Sequence, residues 1–592
     1  MFQQEQAQAV NGNAVVSCDI ALPCYVLLPA CSWPLRCPVS STASNPPVSQ
    51  SNAAADRFAE RKTAFDHELE RQLARLQEAK FVTRLWQRDG ALFSADPAVQ
   101  RSVRDRLGWL FHLDQMRDQI DRMVALYKVV ERQGYDRVGV LGMGGSSLWP
   151  EVVGKHLRGN RGLQLRVADS THPQAVAELI EWGKAGKPLW LVATKSGGTI
   201  ETLSLYHALH QLWPSGSDYI AITDPGSSLQ GLAHAAGFRE VFLNPADIGG
   251  RFSAVSLFGL VPAVLTGVVV HDAISRIGAE LTACREEDPF ENPGVHLGAQ
   301  LAAAYNVGRW QLRIGLGKDI KGFSAWIEQL IGESTGKHGV GLLPVPGTLE
   351  ETGEALQAKL AHAFVVGATT FAYPDEDFVA RAQGTDAPGF FAVMPEPADL
   401  WNEVVRWCVA TATAGFLLGI NPFDEPDVSA AKAATAGILS GALQPRTDVE
   451  RTDVEGVYQL VQHLTPALQA LSADAYVAVL CYLAPNAANQ QRLDGLRQSL
   501  QAVTDAAVTV QFGPRYLHST GQYHKGGPDK GHFVLLHDFG RLDAGLVAEV
   551  AIPGQPFGFG QLVRAQAEGD VAVLHERGRP VQVVHLVAKS AK

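Results

Sequence analysis

Short apolar runs alternate with amphipathic stretches through the middle of this 592-residue chain, and that alternation leaves few folds open. Arg137–Leu141 (RVGVL), Leu163–Asp169 (LQLRVAD), Pro188–Thr194 (PLWLVAT) and Asp218–Thr223 (DYIAIT) have the length and apolar content of buried strands. Helical periodicity lies between them at PQAVAELIEW and TIETLSLYHALHQLW. Strands alternating with helices imply βαβ units and a parallel sheet covered by helices on both faces. The pattern resumes after Asn292 with a helix over Gly294–Asn306. Strands follow near Gly341–Val345, His362–Gly367 and Gly389–Met394, then a long helix over Ala398–Leu418. The C-terminal part reads as strand (AYVAVLCYLA), helix (QQRLDGLRQSLQAV) and strand (AVTVQF), and closes on the apolar runs VAVLHE and VQVVHL.

These readings predict an α/β protein with two doubly wound lobes, the second completed by the C-terminal segment. Residues 1–55 form a leader, 56–132 a helical N-terminal segment, 133–290 the first α/β domain, 291–445 the second, and 446–592 the C-terminal α/β segment. Amphipathic helices are expected from about Ala54 to Leu76 and from about Leu107 to Arg132. The tandem repeat RTDVERTDVE (Arg446–Glu455) reads as a duplication in a tolerant surface connection.

The leader is rich in Gln, Ser, Pro, Asn and Ala and has no sustained period. Its apolar patch Ala14–Pro34 is interrupted by Asp19 and Pro23 and is preceded by Glu5 with no Lys or Arg, which speaks against an export signal. It reads as a disordered leader or as the product of a start codon placed too far upstream. A hydrophobic fraction of 46% supplies apolar surface for real cores, and 19% charged residues are too few for a disordered or nucleic-acid-coating chain. The net charge of −11 argues against a polyanion binder, yet a few local donors suffice for a small anionic substrate. No charge-free apolar run is long enough to cross a membrane. Cys18, Cys24, Cys31 and Cys37 cluster in the leader, while Cys284, Cys408 and Cys481 sit in apolar contexts; all read as small hydrophobes of a reduced cytoplasm.

Two loops at strand ends carry the first chemical signals. Gly142-Met143-Gly144-Gly145-Ser146-Ser147 follows a strand and opens a helix, where backbone N–H groups and a hydroxyl can approach an anion. It is not a dinucleotide fingerprint, because Ser147 stands where GxGxxG needs glycine. Thr194-Lys195-Ser196-Gly197-Gly198-Thr199 gathers three hydroxyls, a lysine and two glycines at another strand end. Taken alone, a polar helix cap explains it as well as phosphate binding does. Together, two such loops on one parallel sheet favour a common crevice. Gly249-Gly250-Arg251-Phe252-Ser253 shapes backbone around an arginine, and Gln329 and Glu333 fall four apart on one helix face.

In combination these motifs are recognisable. From about Phe81 to the C-terminus the chain resembles glucose-6-phosphate isomerases through GMGGSS, TKSGGTIET, DIGGRFS (Asp247–Ser253), EQLIGESTGK and NPFDEPDVSAAK (Asn421–Lys432). The RLWQRD opening and the HSTGQYHKGGP segment are most similar to the isomerase portion of fused transaldolase/glucose-6-phosphate isomerases. The leader is far too short for the roughly 200 residues of a transaldolase barrel. The resemblance implies two sugar-isomerase (SIS) domains, cytoplasmic sugar metabolism (glycolysis and gluconeogenesis), no cofactor and no metal. It implies glucose 6-phosphate and fructose 6-phosphate as partners, neither nucleic acid nor membrane, and a homodimer; association with a separate transaldolase stays open. Gly145, Ser146, Ser196 and Thr199, with Thr194 and Lys195 beside them, would hold the phosphate. Glu333 would shuttle the proton between C2 and C1 through a cis-enediol(ate), and Arg251 would stabilise the enediolate oxygens. Gln329 would contact substrate and Lys432 would assist ring opening.

This chain departs from the family pattern in carrying Glu425 in place of a usual Gln and Ser429 in place of a usual Glu. The family's ring-opening histidine lies in an NGQH-type segment upstream of NPFDQP, and none occurs here between Lys337 and Asn421. Gly521-Gln522-Tyr523-His524 offers a similar arrangement, so His524, oriented by Glu201, is the expected ring-opening residue, with His518 and His532 as competitors. Two other readings stay open: a non-catalytic sugar-phosphate-binding regulator, which would not need Glu333 and Arg251 together, and an isomerase for mannose 6-phosphate or an amino sugar.

Overall fold

The computed structural model describes residues 51–347, 349, 351–372 and 381–587, with side chains from Ala64 onward. The leader with its four cysteines lies outside the described residues up to position 50. Three sheets, every strand pair parallel, organise the rest. The first has strands β1 (Arg137–Leu141), β2 (Gln164–Ala168), β3 (Pro188–Ala193), β4 (Tyr219–Thr223) and β5 (Glu240–Leu243) in the order 2-1-3-4-5. The second has β6 (Gln311–Leu316), β7 (Leu343–Pro346), β8 (Ala363–Thr370) and β9 (Gly389–Met394) in the order 7-6-8-9. The third has β10 (Arg451–Val454), β11 (Tyr476–Tyr482), β12 (Ala507–Phe512), β13 (Gly531–His537) and β14 (Val581–Leu586) in the order 10-14-13-11-12. The C-terminal segment therefore carries a five-stranded sheet of its own, whose edge strand β12 packs beside β7 of the second sheet.

Local deviations from the expected elements have physical causes. The stretch from Leu107 breaks into a 3-10 turn at Gly108–Leu110, a helix at Leu113–Asp118 and another at Ile120–Arg132. Of the two closing apolar runs, VQVVHL is β14, whereas VAVLHE ends the helix Phe559–Glu576 and buries Val571, Val573 and Leu574. The second copy of the tandem repeat supplies edge strand β10, paired with β14. The strand β6 (QLRIGL) places Arg313 wholly inside, bonded to Gln501 and Gln311, so its polar alternation marks buried pairing and not a solvent face.

One helix packs against the second sheet and against the helix that follows β1 of the first. Phe323–Thr335, after β6, buries Phe323, Trp326, Ile327, Leu330 and Ile331 at helical spacing. Each such side chain contributes about 1.5–3 kcal/mol on burial. Trp326 and Phe323 meet Trp149 of the helix Leu148–Val152 edge-on, and Trp401 meets it from the helix Leu400–Leu417. That aromatic cluster seats the helix between the first two sheets. Its remaining face carries Gln329 and Glu333, also buried, which must meet polar partners.

Candidate active site

The first sheet reverses its direction of growth between β1 and β3, which is where a parallel sheet opens a crevice beyond its strand ends. Leu141 of β1 pairs with Val192 of β3, so the glycine loop Gly142–Ser147 and the hydroxyl loop Thr194–Thr199 emerge side by side. Glycine is required in the first loop for two reasons. Gly144 adopts φ +57°, and a β-carbon on Gly145 would fall 1.9 Å from the carbonyl oxygen of Gly250. The glycine loop and the turn bearing Arg251 thus pack backbone to backbone.

Beyond the hydroxyl loop lies a cavity of about 210 Å³. Ser196, Gly198, Thr199 and Glu201 line it from the loop and from the start of the helix Ile200–His210. Lys432 faces it from the helix Pro426–Leu439, His518 from the 3-10 turn Arg515–His518, and Gln566 from the helix Phe559–Glu576. Thr194 is buried and its hydroxyl meets that of Thr199 at 2.7 Å, bracing the loop from behind. Ser146 is half-buried in the neighbouring loop; neither it nor Gly145 is on the cavity wall. Lys195 is not on the wall either: its ammonium pairs with Asp224 and donates to the carbonyl of Ala246 at 2.7 Å.

Next to the cavity stands a buried charge cluster. Arg251 donates from Nε to Ser334 Oγ at 2.8 Å, from Nη1 to Glu425 Oε2 at 2.9 Å, and from Nη2 to the carbonyls of Pro422 and Asp424 at 2.7 and 2.8 Å. Glu333 Oε1 lies 3.6 Å from Arg251 Nη1, inside Coulombic range but beyond a hydrogen bond. Burial raises the Glu333 carboxyl above its ordinary pKa, and Arg251 opposes that rise. Gln329 Nε2 donates to Glu333 Oε2 at 3.2 Å and to the His518 carbonyl at 2.8 Å, tying the carboxylate to the turn on the cavity wall. Lys337 is buried, donates to the Asn421 carbonyl at 2.6 Å and pairs with Asp424 at 2.8 Å; burial pushes its pKa down to about 8. Arg251 and Lys337 together clamp the turn Asn421–Asp424, which aims the following helix, and with it Lys432, at the cavity.

The structure corrects the expected histidine pairing. Glu201 pairs with His518 Nε2 at 3.0 Å, not with His524. Burial acts to raise the Glu201 carboxyl, but the His518 ring beside it holds it below its ordinary pKa. His524 points into the core of the third sheet, where the Tyr476 hydroxyl meets Nδ1 at 3.2 Å and Gln511 Oε1 meets Nε2 at 3.1 Å. Burial pushes the His524 pKa down to about 3. In the same GQYH segment Gln522 faces the other way, donating to the Gly336 carbonyl and to Asp427 Oδ2 and accepting from the Asp427 N–H. His532, the other competitor, is a surface residue of β13.

Three residues around the site carry little or no local signal: Lys337, Gln566 and Thr171, whose hydroxyl bonds Gln566. Only Lys337 falls inside a recognised motif, EQLIGESTGK. The site thus offers a desolvated carboxylate beside a guanidinium, a histidine–carboxylate pair and a hydroxyl-lined helix start. That set suits proton transfer next to a carbonyl on a small anionic substrate.

No protein-family model matches the chain. It is 30% identical over 267 residues to the glucose-6-phosphate isomerase of Carboxydothermus hydrogenoformans, a match taking in 40% of this chain and 55% of that one, about half its length. It is 26% identical over 431 residues to the glucose-6-phosphate isomerase of Thermosynechococcus vestitus, covering 64% of this chain and 79% of the relative. Among solved structures, a hypothetical protein of Thermus thermophilus superposes with a TM-score of 0.52 at 21% identity, over 65% of this chain and 99% of that one, which establishes a shared fold. By sequence, the chain is similar to these glucose-6-phosphate isomerases.

Proposed function

We propose that the chain interconverts glucose 6-phosphate and fructose 6-phosphate, with Glu333 as the base. One observation carries the reading: a buried carboxylate kept 3.6 Å from a buried guanidinium and spared from a direct hydrogen bond to it. The substrate phosphate sits at the start of the helix Ile200–His210 against Ser196 and Thr199, with Ser146 and Gly145 completing the crevice. His518, held by Glu201, and Lys432 move protons at the ring oxygen and the C1 hydroxyl to open the sugar. Glu333 then removes the C2 proton, leaving an enediolate whose negative oxygen is stabilised by Arg251; the hydroxyl proton passes from O2 to O1, and Glu333 returns its proton to C1. Phosphate contacts remote from the reacting carbons hold the geometry.

The test is a coupled assay that supplies fructose 6-phosphate and follows glucose 6-phosphate, on wild type and on Glu333→Gln. The expected result is activity in the wild type and a loss on the order of 10²–10⁴-fold in the variant. A folded, inactive wild type overturns the reading.

A further inference from the structure

Glu201 Oε1 receives two hydrogen bonds, one from His518 and one from a residue that no sequence motif points to. Gln566 Nε2 donates to Glu201 Oε1 at 2.8 Å, and the Thr171 hydroxyl donates to Gln566 Oε1 at 2.6 Å. All three residues are buried. The amide orientation follows from chemistry: an ionised carboxylate only accepts, so the NH₂ of Gln566 must face Glu201, and its oxygen must take the Thr171 proton. The same logic fixes the histidine. With Nε2 donating to Glu201, Nδ1 is the ring nitrogen that has no hydrogen-bond partner among the described residues, and His518 lines the cavity.

The chain of contacts joins four separate elements. Thr171 follows β2, Glu201 begins the helix after β3, His518 ends the turn after β12, and Gln566 sits on the helix before β14. Without Gln566, Glu201 would keep the carboxylate charge but lose the donor that fixes where it points. His518 would then be free to follow a rotating carboxylate.

Accepting the isomerase reading above, we infer that Gln566 is a positioning residue: anchored by Thr171, it holds Glu201 so that His518 presents Nδ1 to the sugar ring. Gln566 acts through Glu201 and not on the phosphate.

The test is a double-mutant cycle in the coupled assay, with Gln566→Met and Glu201→Gln alone and together, and Thr171→Val as a milder probe. Gln566→Met should lower kcat roughly tenfold, the scale of one buried hydrogen bond to a charge, and leave KM within about twofold. In the Glu201→Gln background the same substitution should cost nothing further, because the residue acts through that carboxylate. Thr171→Val should reproduce a smaller fall in kcat, and it keeps the question answerable if Gln566→Met does not fold. An unchanged kcat in Gln566→Met overturns the inference. So does a loss that multiplies independently with that of Glu201→Gln, which is what a merely structural tether would give. In that case a fully active wild type leaves the isomerase reading intact, whereas an inactive wild type removes both.

Discussion

Two buried arginines, each set between two glutamates, make an instructive pair. Arg406 lies on the helix Leu400–Leu417, with Glu403 one turn away at 2.6 Å and Glu280 of the helix Val270–Ala283 at 2.9 Å. Arg251 also has two carboxylates, but only Glu425 bonds it directly, and Glu333 is held off at 3.6 Å. In the first cluster both carboxylates are spent on the guanidinium. In the second, Ser334, two carbonyls and Glu425 occupy the guanidinium, leaving one glutamate desolvated yet free to bind a proton. The same residue types are arranged in two ways, and the difference is whether both carboxylates bond the guanidinium directly.

Substitution can break this comparison at several points. Glu333→Gln should abolish most of the activity while the melting temperature holds or rises, since Arg251 keeps its other four contacts; a large drop in thermal stability would mean Glu333 serves the fold as Glu403 does. Arg406→Leu strands Glu280 and Glu403 without their counter-ion and should destabilise by roughly 3–5 kcal/mol in denaturant unfolding, with activity per folded molecule unchanged. A cost under about 1 kcal/mol would show that this cluster is not what it looks like.

The two histidines of the HSTGQYH segment provide a second contrast. His518→Asn should lower kcat on cyclic sugar by about 10²-fold, as expected for loss of an acid–base group. His524→Phe should leave kcat intact, and equal losses in both variants would return His524 to the site.

Glu425→Gln should have the smallest effect, one visible in the pH profile. On the proposed mechanism Glu333 must be ionised to act, and its pKa is raised, so activity should be lost as pH falls through a value above the ordinary carboxylate range of about 4.3. The Glu425 charge is one cause of that rise, so removing it should move the acid limb of kcat/KM to lower pH. No movement, or movement to higher pH, would uncouple the two carboxylates.

Much of the fold and part of the site are legible in the residues alone. RVGVL and GFFAVM are strands with the expected limits, and the loops after β1 and β3 emerge side by side, although only the second lines the cavity. Gln329 and Glu333 share a helix face, as their spacing requires. These features depend on period and chain connectivity, which are local. Less readable were β6, whose Arg313 mimics a solvent-facing position, and the third sheet, whose strands β13 and β14 are joined through a helix that ends in a strand-like run.

The sequence by itself determined the alternation of strand and helix, the glycine and hydroxyl loops at the strand ends, and the residue types from which an isomerase site can be built. Tertiary structure alone decided which copies of those types meet. Glu201 and His518 are 317 positions apart, Glu201 and Gln566 are 365 apart, and Lys195 is drawn to Asp224, all by contacts between elements. A hydrogen bond depends on tenths of an ångström and on the angle at which two side chains arrive, and in a folded chain the packing of whole helices and sheets sets both.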